Sequence, residues 1–174
     1  MPPLGVEPQA GAAQAVVVSD AGPLISLGRL DLLHLLTDLF SAVHVPQQVM
    51  VECLARPANL DAQRIRTMLN SGQLKVCVAD PMDLPGLDPG ECAAIGHALA
   101  ISAGVLLDDG AARQRAAALG LPVMGTQGLL VRARQRGLVG LLAPLIAALR
   151  ASGQRLGHEA VAQALLAVGE EAPP

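Results

Sequence analysis

The sequence predicts an α/β protein: a three-layer α/β/α sandwich with a central, mostly parallel sheet and additional helices at the C-terminus. The first observation is that short apolar segments alternate with longer segments of helical periodicity. The second is that the short segments are continuously apolar, which is typical of strands covered on both faces. The third is a composition of 52% hydrophobic residues with a single aromatic, Phe40, which favours an aliphatic core of helices on a sheet.

Four strongly apolar segments and one weaker segment are the predicted strands: Ala15 to Ser19, Ala42 to Val45, Leu74 to Val78, Val105 to Leu107 and Pro122 to Met124. Predicted helices separate them at residues 23–39, broken near Gly28, and at 46–55, 61–69, 89–102 and 111–119. A proline opens three of these segments, as is favoured in a first helical turn. Only helices follow the last strand, at 126–136, 138–150 and 158–168.

The chain length suits one domain with a substantial core. We expect a flexible tail over residues 1–14, an α/β/α domain over 15–139, and a helical extension over 140–174 packed on the same domain. The opening residues lack the basic start and apolar core of a secretory signal. The longest apolar run, residues 138–149, is shorter than the roughly 20 residues that span a bilayer. We therefore predict a soluble, cytoplasmic protein with no membrane partner.

Charge, cysteine and histidine usage argue against several kinds of site. The net charge of -3 gives no general electrostatic attraction to nucleic acid. The three cysteines are Cys53, Cys77 and Cys92, and no two of them have CxxC spacing. This pattern argues against a disulfide framework and against a zinc site, and it favours a reducing compartment. The four histidines have no partner at metal-ligand spacing along the chain, so packing or surface roles are expected: His34, His44, His97 and His158.

Asp20 ends the first predicted strand, in VVVSDAGPLI (residues 16–25), with no Lys or Arg near it. An unpaired buried carboxylate costs several kcal/mol, so Asp20 either caps a helix or receives a charged ligand. Asp is a favoured N-cap residue, but Pro23 predicts a helix that begins there and is capped by Gly22. Ligands of open parallel sheets bind beyond the carboxyl ends of the strands, which makes Asp20 a candidate site residue.

Glu52 lies within the predicted helix 46–55 and Glu91 near the start of the predicted helix 89–102, and each has a structural alternative. Glu52 stands four residues before Arg56, the spacing of a surface ion pair. Glu91 stands three residues after Asp88, which together with Pro89 is typical of a capping box. The cap and a site role are compatible if the Glu91 carboxylate also faces the strand ends.

Asp108 and Asp109 follow the fourth strand. Asp109 could cap the next helix and pair with Arg113, but two adjacent acids also repel each other and attract a cation. With Asp20 and the two glutamates they form an oxygen-only set without His or Cys, which suits Mg²⁺ or Mn²⁺ rather than zinc. Such a set favours phosphoryl chemistry, because the metal polarises the phosphate, lowers the pKa of a bound water and stabilises the leaving oxygen.

Four motifs resemble those of PIN domains, in particular a bacterial branch related to the toxin ribonucleases of toxin–antitoxin pairs (the virulence-associated protein C type). They are VVVSDAGPLISLGRLDLL, VHVPQQVMVECL, LDPGECAAIGHALA and GVLLDDGAARQRAAALGLPVMGT, in that order. The first and fourth are fairly specific, and the second and third are informative in combination. The resemblance covers Val16 to Gly137 and continues through the C-terminal helices. It departs at VPQQ, where glutamines stand at positions in which acids are frequent.

The resemblance implies an α/β/α fold and an acidic pocket that binds one or two Mg²⁺ or Mn²⁺ ions. It implies four catalytic acids: Asp20, Glu52, Glu91 and Asp109. The implied metal ligands are Asp20, Glu91, Asp108 and Asp109, with Asp109 as the direct match and Asp108 as an auxiliary. Glu52 would position a second ion or the water. Thr126 would supply a hydroxyl to the pocket. Because the near absence of aromatic residues leaves no platform for base stacking, the candidates for phosphate contacts are arginines, of which solvated helix faces are the structural alternative: Arg113, Arg115, Arg132, Arg134 and Arg136. Of these, Arg113 and Arg115 are the predicted substrate contacts.

The function expected from these residues is a metal-dependent endoribonuclease, the toxin of a toxin–antitoxin pair. Its expected partners are an RNA substrate, a small antitoxin protein and a second copy in a homodimer. The alternative is a non-catalytic PIN-like module that binds proteins, which the intact acids disfavour. A receiver or haloacid-type phosphotransferase is weaker, because the first strand ends in one aspartate and Lys75 is poorly placed for such a site.

Overall fold

Five parallel strands form one sheet in the order β3-β2-β1-β4-β5. A computed structural model describes residues 15–80 and 82–171, so the predicted tail over 1–14 lies outside the described residues. The strands are β1 (Val16–Ser19), β2 (Ala42–Pro46), β3 (Lys75–Cys77), β4 (Gly104–Leu106) and β5 (Val123–Met124). Every neighbouring pair is parallel, with Val17 opposite both Val43 and Gly104 in the register.

Helices fill the connections at the positions that the periodicity predicts. They are α1 (Ala21–Arg29), α2 (His34–Leu39), α3 (Gln47–Cys53), α4 (Leu60–Asn70), α5 (Pro89–Ala100), α6 (Gly110–Ala118), α7 (Thr126–Gln135), α8 (Leu142–Ala151) and α9 (His158–Ala167). The first helix begins two residues before Pro23, the predicted start. Proline is tolerated in the first helical turn because its missing N–H has no partner within the helix there.

The sheet separates two apolar layers, which confirms the three-layer sandwich. Val17 contacts one hydrophobic cluster and Val18 the other, as alternation along a strand requires. The larger cluster contains residues of α1–α4 and α7–α9, and the smaller one contains residues of α5 and α6. Helix α1 packs tightly on α4 at Gly28, where a Cβ atom would lie 3.0 Å from Asp61 Cβ and 3.1 Å from Asp61 Cα.

The strand order places a topological switch point at the carboxyl ends of β1 and β4. The chain moves from β1 through β2 to β3 at one edge, and helix α5 then carries it back across to β4 on the other side of β1. Crevices at such points are the usual ligand sites of open α/β sheets. Asp20 follows β1 directly, and its backbone N–H donates to Leu106 O at 3.0 Å, so the two strand ends are joined there.

The C-terminal helices share the larger core with the sheet. Buried residues of α8 and α9 belong to the same cluster as those of α1 and β1: Leu142, Ile146, Leu149, Val161, Ala164 and Leu165. Glu170, just beyond α9, accepts hydrogen bonds at the start of α8 from Leu142 N at 2.8 Å and Ala143 N at 2.9 Å. It also accepts one from Arg134 Nε of α7 at 3.2 Å. A single carboxylate therefore connects α7, the start of α8 and the end of α9.

No helix within residues 15–80 and 82–171 combines the length and the apolar character needed to cross a bilayer.

Replacing Glu170 with Gln removes the charge that satisfies the first amides of α8 and that pairs with Arg134. The Leu142 amide is the largest cause that holds the pKa of Glu170 below its usual value. A carboxyl with a lowered folded pKa stabilises the protein at neutral pH, and this contribution is lost as the pH falls through that pKa. We expect Glu170→Gln to melt below the wild type at pH 7, with the difference shrinking as the pH falls through the lowered pKa of Glu170, whereas the exposed Glu171→Gln should follow the wild type throughout. Equal melting temperatures for Glu170→Gln and wild type at pH 7 would contradict this contribution.

Candidate active site

Asp20 is a buried carboxylate of the site. Its residue is 7% exposed, and its Oδ1 atom is buried without a hydrogen-bond partner among the described residues. Asp20 occupies the N-cap position of α1, in extended conformation, but its side chain makes no capping hydrogen bond. The capping alternative therefore leaves the Asp20 carboxylate unexplained; a bound cation, or a proton on the carboxyl group, would account for its burial.

Glu52 reaches the same place from α3, which follows β2. The alternative pairing with Arg56 is absent: of the ion pairs found in the described parts of the chain, Arg64–Asp31 and Arg134–Glu170, neither involves Glu52. The physical reason is that α3 ends at Cys53, so Arg56 does not lie one turn further along the same helix face.

Asp88 and Glu91 form the predicted capping box at the start of α5, which confirms that interpretation. Glu91 N donates to Asp88 Oδ1 at 2.8 Å, and Asp88 N donates to Glu91 Oε2 at 3.0 Å. The reciprocal bonds fix both carboxylates at the helix start, where the crossover from β3 passes over the end of β1. Local capping and the placement of charge at the sheet edge are thus achieved by the same two residues.

Carboxylate oxygens of Asp20, Glu52 and Asp88 lie within 4.8 Å of one another. Asp88 is the residue of this cluster that the sequence interpretation did not include among the site residues. Its role as an N-cap explained it fully, and nothing in a single sequence shows that the capped helix begins beside β1. The signal available in the sequence was the position of Asp88 within LDPGE, three residues before Glu91, which the sequence interpretation did include among the site residues.

Gly90 leaves open the space between these oxygens. A Cβ atom on Gly90 would lie 3.3 Å from Asp88 Oδ1, 3.3 Å from Glu52 Oε2 and 3.5 Å from Asp20 Oδ1. The three acidic side chains therefore surround a point that any other residue type at this position would fill. An all-oxygen donor set around a small gap fits a hard divalent cation.

Burial and mutual repulsion weaken the acidity of the cluster. Burial is the largest cause that raises the pKa of Asp20 to about 7; a hydrogen bond from the Ala21 backbone opposes it, and the negative charges of Asp88, Glu52 and Glu91 add to it. Burial is also the largest cause of the raised pKa values of Glu52 and Glu91, and repulsion from Asp88 adds to both. Asp109 is close enough to raise the pKa of Glu91 as well. A divalent cation would relieve this repulsion by favouring the ionised forms.

Asp108 and Asp109 divide into two different roles. Asp109 caps α6, where its Oδ1 accepts from Ala112 N at 2.9 Å. Asp108 accepts from Thr126 N at 2.7 Å through Oδ1, and through Oδ2 from Thr126 Oγ1 at 2.6 Å and Gln154 Nε2 at 2.9 Å. Asp108 is therefore held by the start of α7 and by the turn between α8 and α9. Gln154 is a further residue at the site edge that the sequence interpretation did not include.

A groove of about 350 Å³ adjoins Asp108, and its lining includes Arg113, Thr126, Gln154 and Arg155. The Arg113 guanidinium packs against Gly125. A Cβ atom on Gly125 would collide with the Nη1 atom of Arg113. Arg115, the other arginine expected to contact substrate, is exposed. Because it lies two residues beyond Arg113, it projects from the opposite side of α6. The structure thus brings one of the two predicted arginines to the groove.

Outside the acidic cluster, two histidines expected to have only packing or surface roles contact each other. His44 Nδ1 of β2 lies 3.0 Å from His97 Nε2 of α5, and Cys77 of β3 joins them in one group of potential metal ligands. Sequence spacing gave no sign of this contact, because a parallel sheet brings together residues that are far apart in the chain.

Comparisons with known proteins agree with the architecture. The family model DUF3368, described as a PIN domain, matches residues 16–170. Among solved structures, the chain is similar to a PilT N-terminus domain protein from the hyperthermophilic archaeon Sulfolobus solfataricus P2, with a TM-score of 0.50 and 15% sequence identity. The similarity covers 68% of this chain and 92% of the archaeal chain, and it shows a common fold. No curated protein matches this chain at a significant level.

Replacing Asp20 with Asn tests the buried charge in the metal-free protein. The pKa of Asp20 is about 7 in the folded protein and 3.8 for the free side chain. Between about pH 4 and 7, Asp20 is therefore protonated in the native state and ionised in the unfolded state. The stability of the wild type should therefore fall as the pH rises through this window. Asp20→Asn should be more stable than the wild type at pH 8, by up to about 4 kcal/mol, with the difference vanishing near pH 4. Urea unfolding in the presence of a chelator measures this, with the exposed Asp83→Asn as control. Parallel stability curves for Asp20→Asn and wild type would contradict the raised pKa.

Replacing Gly90 with Ala tests the gap between the three carboxylates. The added methyl group would stand against the oxygens of Asp20, Glu52 and Asp88, so we expect Mn²⁺ affinity to fall by about 10–100-fold. Titration calorimetry measures the affinity. The control is Gly110→Ala, because a Cβ atom there meets nothing within 4 Å. Unchanged Mn²⁺ binding by a folded Gly90→Ala variant would place the ion elsewhere.

Proposed function

This chain belongs to the PIN-domain family, a family of nuclease-type fold, and from that premise we propose that it is a metal-dependent endoribonuclease. The observation that carries the proposal is the convergence of Asp20, Glu52 and Asp88 at the strand ends without a cationic partner among the described residues. Of the three, Asp20 is buried, whereas Glu52 and Asp88 are exposed. A buried carboxylate with a purely structural role would be expected to have an arginine or lysine partner, since unpaired buried charge is costly.

The proposed ion is Mg²⁺ or Mn²⁺, held by Asp20, Glu52 and Asp88. The fit rests on the unpartnered Asp20 Oδ1 atom, the gap at Gly90 and an oxygen-only donor set. Glu91 and Asp109 border this set and extend its negative charge, consistent with room for a second ion or an ordered water. When bound, the ion supplies Lewis-acid activation of a phosphodiester and neutralises developing negative charge.

The residues around the ion site have separate tasks in this proposal. The two caps hold Asp88, Glu91 and Asp109 in place, so that little reorganisation accompanies substrate binding. Asp20 gives up its proton when a cation binds, which couples metal affinity to pH near neutrality. Asp108, held by Thr126 and Gln154, lines the groove.

The substrate contacts are proposed to be phosphate contacts rather than base stacking. Arg113 and Arg155 are exposed and line the groove beside Asp108, where planar guanidinium groups suit phosphate oxygens. The single aromatic residue, Phe40, is buried beneath Arg132 and is not available to stack on a base. Recognition through phosphates would make binding depend strongly on salt concentration.

The biological role we propose is that of the toxin in a toxin–antitoxin pair acting on cytoplasmic RNA. Its proposed partners are a small antitoxin protein that silences the site and a second copy of the chain in a homodimer. This role rests on the motifs of the sequence and on the nuclease-type site. The decisive observation is whether a small gene adjacent to this one encodes a protein that binds the chain and abolishes its RNase activity.

Purified protein with Mn²⁺ should cleave single-stranded RNA internally. Loss of one ligand should reduce the rate by about 100-fold or more in Asp20→Asn and Asp88→Asn. Asp83→Asn removes an exposed aspartate of the same loop outside the cluster and is the matched control. Cleavage is followed on a labelled oligonucleotide at pH 8, with chelator as the zero-metal reference.

Two results would overturn the proposal. The first is wild-type protein with no more cleavage than Asp20→Asn. The second is the absence of Mn²⁺ binding at millimolar concentration by calorimetry, which would favour the non-catalytic interaction module. Loss of activity in Asp83→Asn equal to that in Asp88→Asn would show that general loss of negative charge, rather than the cluster, is responsible.

A further inference from the structure

A second group of potential metal ligands lies on the face of the sheet covered by α5. His44 of β2, Cys77 of β3 and His97 of α5 each present a ligand atom within 4.8 Å of the other two. The His44 Nδ1 and His97 Nε2 atoms are 3.0 Å apart, and the ring centroids are 5.3 Å apart. All three residues are half-buried, so an ion from solvent can reach them. None of them contributes to the acidic cluster.

We propose that His44, Cys77 and His97 form a site for Zn²⁺ or a similar transition-metal ion. Two imidazole nitrogens and one thiolate are a donor set that zinc prefers and that Mg²⁺ and Mn²⁺ do not. Tetrahedral zinc with nitrogen ligands holds them about 3.3 Å apart, close to the nitrogen separation found here. Three protein ligands leave the fourth position to water, as in zinc sites that are open to solvent.

The protons at this site are compatible with metal binding. Without a metal, the 3.0 Å contact is a hydrogen bond in which one of the two ring nitrogens carries the proton. Burial lowers the pKa of His44, with smaller contributions from His97 and Lys75, and this favours the neutral imidazole that binds metals. Burial raises the pKa of the Cys77 thiol, so the thiolate forms only with the ion. Zinc binding would move the shared proton to the other nitrogen of its own ring and convert the Cys77 thiol to thiolate, which releases one proton per ion to solvent.

The site is separate from the acidic cluster but shares a helix with it. His97 lies six residues after Glu91 on α5, about 9 Å along the helix axis. An ion bound there would connect α5 to β2 and to β3, the edge strand of the sheet. We infer that zinc stabilises the packing of this helix, whose first turn carries Asp88, Gly90 and Glu91. Lys75 is the nearby positive charge that opposes a cation, and its exposure to solvent weakens that effect.

The experiment uses Co²⁺ as a spectroscopic probe and Zn²⁺ in competition with a chromophoric chelator, on the reduced, metal-free full chain. Wild-type protein should bind one Co²⁺ with the near-ultraviolet charge-transfer absorption of a cobalt–thiolate bond, and Zn²⁺ should displace it. Cys77→Ser and His97→Gln should each weaken Zn²⁺ binding by at least about 100-fold, since even the loss of a residue that only orients a ligand costs 10–100-fold. Zinc at a hundredfold excess over its dissociation constant should raise the melting temperature of the wild type by about 5–10 °C and that of Cys77→Ser hardly at all.

Matched variants separate this site from the alternatives. Cys92→Ser removes another half-buried thiol, which lies on α5 outside the group. Asp20→Asn removes the buried charge of the acidic cluster. Both variants should retain the cobalt–thiolate absorption. His44→Gln, checked for folding by circular dichroism, replaces Cys77→Ser if the latter does not fold. No charge-transfer band in folded wild type, a band that persists in Cys77→Ser, or a band lost in Cys92→Ser would each overturn the proposal.

Discussion

The charge of Asp20 is the constraint on which the site depends. Its buried carboxylate lies at the end of the central strand beside Glu52 and Asp88, and one of its oxygens has no hydrogen-bond partner in the part of the chain that the structure describes. The fold brings these acids together although they repel one another, and burial keeps the pKa of Asp20 near neutrality. Such an arrangement is stable as a protonated acid or as an ion complex, and the gap at Gly90 leaves room for the ion.

Helix capping does much of the positioning in this protein. Asp88 and Glu91 cap α5 and Asp109 caps α6, so carboxylates that face the sheet edge are held by backbone amides. Glu170 uses the same chemistry far from the site, where it satisfies the first amides of α8. The turn between α8 and α9 then supplies Gln154 to Asp108. The C-terminal helices thus complete both the larger core and the rim of the groove.

Helix α5 connects two groups of ligands with different chemistry. Its first turn faces carboxylate oxygens, which suit hard ions, while His97 near its end faces an imidazole and a thiol, which suit zinc. The two groups lie on different parts of the same helix, so occupation of the His–Cys group would act on the acids through the position of α5. That coupling is a consequence of the packing of α5 on β1 and β2 rather than of any shared ligand.

The sequence by itself determined the α/β class, the strand positions and the capping box, because these follow from hydrophobic periodicity and from contacts within a few residues. It also indicated an oxygen-only set of acids that includes Asp20, Glu52 and Asp109, and the PIN-domain motifs assigned these acids catalytic roles. Only the tertiary structure showed that Asp88 completes the cluster with Asp20 and Glu52, that Asp108 turns to Thr126, and that His44 meets His97 across 53 positions of the chain. These outcomes depend on strand order and on the direction of side chains after long crossovers, and local sequence patterns encode neither.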